Sequence, residues 1–147
     1  MHGLTKSTIA TLGALALSAA FAVPAAAQFG GPPPPPNTGV PLYTTLAGAD
    51  GQGHITVVVD PPKGTLCYIM NVSGIEPATA AHIHRGGAGE NGPPVVTLAA
   101  PADGSSGGCQ PVAADLAQAL LGNPGGYYVN VHNRVFPNGA IRGQLNR

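Results

Sequence analysis

Charged side chains are scarce in this chain. Lys, Arg, Asp and Glu together make up 8% of its 147 residues, six of each sign, for a formal net charge of +0 at pH 7. Such a chain has no basic patch to attract nucleic acid and no cationic amphipathic helix to lie on a membrane surface. Cysteine is almost absent, with only Cys67 and Cys109. Their wide spacing contains no C-x-x-C, which argues against thiolate metal ligands and a redox dithiol. Carboxylates are missing where catalysis would want them. Glu90 is the sole one near the histidine motif described below, and no Ser or Asp pairs with a histidine by spacing, so no hydrolase pattern is present. Aromatic residues are 5% and tryptophan is absent, whereas glycine (22) and proline (16) are abundant. Low charge with so much Gly and Pro suits a turn-rich β domain.

The ends are read first. Lys6 precedes an apolar run over residues 9–23, and Ala25-Ala26-Ala27 offers a small-x-small cleavage site before Gln28. Residues 1–27 are expected to be a secretory signal peptide of bacterial appearance, which makes the protein secreted or periplasmic with no membrane span after signal removal. Residues 28–41 follow as a Pro/Gly-rich linker whose five consecutive prolines, 32–36, favour an extended polyproline II rod. Residues 42–147 are then one domain, near the commonest domain size. Its charges number five basic against six acidic, about −1. An exported chain with two cysteines most simply makes one disulfide, here Cys67 to Cys109; a free thiol pair or thiolate ligation is the alternative.

Within the domain, strands are expected over residues 42–46, 53–60, 65–73, 79–84, 94–98, 126–132 and 140–145, with turns at Pro61-Pro62-Lys63-Gly64 and Pro137-Asn138-Gly139. The third carries apolar residues on both faces, which marks it as central. Residues 101–108 read as a polar Gly/Ser loop. Val112, Leu116, Ala119 and Leu120 fall at helical spacing, so one helix is expected near 113–121 with Gly122 as its cap. About seven short strands and one short helix indicate an all-β, antiparallel Greek-key β-sandwich.

The chemistry-bearing residues are His82-Ile83-His84 and His132. Strand side chains two apart point the same way. His82 and His84 therefore share a face, and so do Tyr128, Asn130 and His132. Burying Ile83 with Val129 and Val131 brings all three imidazoles out on one side, with Asn130, Arg142 and Gln144 in the same polar ladder. Tyr127 and Tyr128 alternate, so one is expected in the core and the other on the surface. His54 begins its strand and reads as a surface histidine. Gly86, Gly87, Gly89 and Gly92 read as a tight loop under the histidines; without a strand-to-helix context they do not make a phosphate cradle. Imidazole is the commonest protein ligand for copper and zinc, and three histidines leave a coordination position open. The rival reading is a hydrogen-bonded polar face that is structural or binds a partner.

Three strings are distinctive: A-H-I-H-R-G-x-A-G-x-N-G-P from Ala81, N-P-G-G-Y-Y-V-N-V-H-N from Asn123, and F-P-N-G-A-I-R-G-Q-L from Phe136. They closely resemble the CHRD domain, named from chordin and found in many exported bacterial proteins. The resemblance implies little about biochemistry, and a lone domain does not inherit the growth-factor antagonism of the animal proteins. The H-I-H motif also resembles the copper half of the copper–zinc superoxide dismutases, which would make His82, His84 and His132 copper ligands and Arg142 an anion-guiding arginine. No bridging histidine and no zinc-binding set accompany them, so that resemblance does not extend to dismutase activity. Two functions stay open: an exported binding or structural module of unknown extracellular or periplasmic ligand, and a mononuclear metal protein, copper first and zinc second. No enzyme class stands out.

Overall fold

A computed structural model describes residues 39–49 and 51–147; the leader and nearly all of the linker lie outside the described residues. Eight strands form one antiparallel sheet in the order β5-β4-β7-β8-β1-β2-β3-β6. They are β1 (Val40–Gly48), β2 (Gln52–Asp60), β3 (Thr65–Ser73), β4 (Ala78–Arg85), β5 (Pro94–Leu98), β6 (Ser105–Pro111), β7 (Tyr127–Asn133) and β8 (Ile141–Gln144). The helix α1 is Ala114–Gly122, so Gly122 is its last residue and Asn123 its cap. β1, β2 and β3 are consecutive hairpin partners, and the final strand returns beside β1, a Greek-key form. The end strands β5 and β6 approach each other and almost close the sheet on itself. Tyr68 of β3 spans that seam, its hydroxyl accepting the Ala99 N–H at 2.6 Å. The fold is the expected all-β sandwich, with a barrel-like closure.

Alternation builds the core. Leu42 and Leu46, Ile55, Val57 and Val59, Leu66 and Met70, Ile83, Val129 and Val131, Ile141 and Leu145 all point inward and are at most 1% exposed. Leu120 of α1 joins them, fully buried. Each such residue adds about 1.5–3 kcal/mol of transfer free energy.

Two expectations are corrected. The Gly/Ser segment is not a loop throughout, because residues 105–111 are a strand paired with β3 from Thr65↔Pro111 to Asn71↔Ser105. The register places Cys67 opposite Cys109, and the two form a disulfide with Cα atoms 3.9 Å apart. β3 is also not buried on both faces. Leu66, Tyr68, Met70 and Val72 face the core, but Ile69 is 67% exposed and Asn71 is exposed. Opposite Ile69 on β6 stands Gly107, which has no side chain to cover it.

Candidate metal site

Register settles the parity question. In β4 and β7, Ala80 pairs with His132, His82 with Asn130 and His84 with Tyr128. In β7 and β8, Asn130 pairs with Arg142 and Tyr128 with Gln144. Directly paired residues share a face, so the three histidines, Asn130, Tyr128, Arg142 and Gln144 all stand on the outer side of the sheet. Ile83, Val129 and Val131 are on the inner side, fully buried. The three imidazoles converge: each offers a ring nitrogen, and these nitrogens all lie within 4.8 Å of one another. His82 Nδ1 is 3.3 Å from His132 Nε2.

The surroundings of the rings fix which nitrogens are available. His84 Nδ1 is 2.8 Å from the Gly92 carbonyl and His132 Nδ1 is 3.0 Å from the Pro137 carbonyl. A carbonyl only accepts, so each Nδ1 carries the proton and each Nε2 keeps its lone pair. His132 Nε2 faces His82. His84 Nε2 is buried with no hydrogen-bond partner among the described residues. A buried polar atom left unpaired costs about 1–3 kcal/mol. The arrangement is the one metal-ligating histidines adopt, with the far N–H anchored on a carbonyl and the near lone pair directed inward. His82 has its pKa lowered from the ordinary 6.5, first by burial and then by the neighbouring His132 and His84 rings. All three influences favour the neutral, ligating form.

A glycine loop, residues 86–93, folds over the upper part of this face. Gly92 sits so tightly under the chain that a Cβ there would lie 1.6 Å from the Arg85 carbonyl oxygen. The close approach brings the Gly92 carbonyl to His84 and its N–H to the Tyr128 hydroxyl at 3.1 Å. Tyr128 therefore corrects another expectation. Tyr127 is in the core, but Tyr128 is not on the surface; it points to the outer face and is 2% exposed beneath the loop. Its ring stacks on His84, centroids 4.9 Å apart and planes at 10°. The Arg142 guanidinium carbon lies 3.4 Å from the Tyr128 ring centroid. Arg142 also donates to the Gly87 carbonyl at 2.9 Å and to Asn91 Oδ1 at 3.4 Å. Gln144 donates to the carbonyls of Gly86 at 2.6 Å and Gly125 at 2.8 Å. Glu90 accepts the Gly87 N–H at 2.8 Å and stays outside the cluster.

On the other flank the turn after β7 holds His132. Asn130 donates to the Asn138 carbonyl at 3.1 Å, and a Cβ on Gly139 would strike the Asn130 amide at 2.3 Å. His54 is exposed and pairs with Asn71 at 3.4 Å, apart from the histidine cluster. Sequence reasoning placed Tyr128 on the face of His132 by parity but not its burial against His84, and it missed the carbonyls of Gly92 and Pro137, for which the sequence holds no signal.

A family model, CHRD domain, matches residues 16–145. The chain belongs to the CHRD-domain family. No curated protein and no solved structure matches it. The histidines, the loop that covers Tyr128 and the turn that orients His132 all fall inside the matched segment of this CHRD domain.

Proposed function

We propose that this CHRD domain is an exported mononuclear metal-binding module in which His82, His84 and His132 are the ligands, copper first and zinc second. The observation that carries the reading is the orphaned Nε2 of His84, buried in a cluster where each of the three imidazoles offers one nitrogen within 4.8 Å of the others. Bonds of about 2.0–2.1 Å to one ion put two of three converging nitrogens roughly 2.9 Å (90°) to 3.6 Å (120°) apart. The His82–His132 pair stands at 3.3 Å already, and the widest separation, at most 4.8 Å, closes with ring rotations that shift a nitrogen by about 1 Å. Three neutral imidazoles without thiolate or carboxylate suit copper or zinc and not magnesium or calcium. Export, a signal peptide over residues 1–27 and a linker from residue 28 up to the start of β1 belong to this proposal, and the Cys67–Cys109 disulfide agrees with an oxidising compartment.

The His82–His132 contact also satisfies two of the three rings without metal, which favours a second reading as a metal-free binding or structural face. Elemental analysis of tag-free protein recovered from the exported fraction separates the two. One equivalent of copper or zinc, lost in His84→Ala, supports the metal reading. Metal-free protein that also fails to take up added copper or zinc leaves the binding face.

A further inference from the structure

In the dismutase-like comparison the guiding cation was Arg142. The structure commits that guanidinium elsewhere, to the Tyr128 ring and to Gly87 and Asn91 of the glycine loop. The side of the cluster that opens outward is different. His82, His84 and His132 line a surface cleft of about 460 Å³ together with Thr79, Pro94 and Arg134. Arg134 lies two residues past His132, is exposed, and among the described residues has no hydrogen bond or ion pair. Among the described residues no carboxylate lines the cleft. Glu76 borders the adjoining cleft that Arg134 also lines, without an ion pair between them.

Three imidazoles leave at least one position of a copper or zinc ion open, and the rings themselves add no negative charge to balance a dication. A permanently charged guanidinium on the wall of the same cleft supplies donors and a second positive charge. We infer that the cleft takes a small free monoanion, bound by the open metal position on one side and by the Arg134 guanidinium on the other. The inference rests on the metal-site reading above. Arg142 is by contrast a positioning residue, acting through Tyr128 and the loop on His84.

The test is a titration of the copper(II)-loaded protein with azide, following the azide-to-copper charge-transfer band, in wild type, Arg134→Gln and Arg147→Gln. Arg147 is an exposed cation bonded to the Leu121 carbonyl, so its variant removes the same net charge away from the cleft. A hydrogen bond to a charged group is worth enough for about a tenfold change. The expected result is one copper in each protein, about tenfold weaker azide binding in Arg134→Gln, and wild-type azide binding in Arg147→Gln. Equal azide affinity in wild type and Arg134→Gln, or an equal loss in Arg147→Gln, overturns the anion site and leaves the metal site standing. Wild-type protein that does not retain copper overturns both.

Discussion

His84 is the residue on which the metal reading turns. Its ring is held on three sides, by the Gly92 carbonyl, by the Tyr128 face and by the sheet, while its remaining nitrogen has no hydrogen-bond partner among the described residues. Losing a group that merely orients a ligand costs about 10- to 100-fold in metal affinity. His84→Ala, which removes a ligand outright, is expected to weaken copper binding by more than that, as measured by competition with a chromophoric chelator. Gly92→Ala is expected to act from one step away. Its Cβ meets the Arg85 carbonyl, so the loop must shift and His84 loses its anchor. The stability loss is about 3 kcal/mol by urea unfolding, at the upper end for forced overpacking, with weaker copper binding alongside. The pH dependence follows from His82. Its folded pKa is lowered from 6.5, so the unfolded chain takes up a proton at higher pH than the folded one. Metal-free protein therefore loses stability as pH falls through 6.5, and the loss levels off below the folded value. His82→Gln is expected to flatten that part of the profile.

Among the elements, the strands differ in how plainly the sequence announces them. β4 and β7 alternate apolar and polar residues, and their parity alone placed three histidines on one face. β6 has no such signal. Ser105-Ser106-Gly107-Gly108 offers nothing to bury, and only its pairing with β3 and the disulfide make it a strand. Tyr128 shows the second limit. Alternation told which way it points, but its burial depends on a loop that folds back over it. The orienting carbonyls of Gly92 and Pro137 belong to residues whose side chains say nothing of where a carbonyl aims. The disulfide gives the prediction at this scale. It closes a loop of 42 residues, for which chain entropy gives about 4 kcal/mol. The double variant Cys67→Ser, Cys109→Ser is expected to lose stability of that order in chemical unfolding, with copper affinity nearly unchanged, because no residue of β3 or β6 lines the histidine cleft.

For the whole molecule, the apolar inside of the sheet supplies the fold and the outer face of β4, β7 and β8 carries the chemistry. The two are separable, so the domain is expected to fold without metal and, on the proposed reading, to gain stability on binding it. Copper at a hundredfold excess over its Kd adds about 2.7 kcal/mol, which raises Tm by roughly 10 °C for a domain of this size. The most direct measurement is pulsed electron paramagnetic resonance of tag-free protein loaded with one equivalent of copper(II). Remote nitrogens of coordinated imidazoles modulate that signal, and their number is read from it. Three coordinated imidazoles in wild type and two in His84→Ala are expected. A copper signal without imidazole modulation, or one unchanged by His84→Ala, would contradict the metal site and leave this face of the CHRD domain as a surface for hydrogen bonding alone.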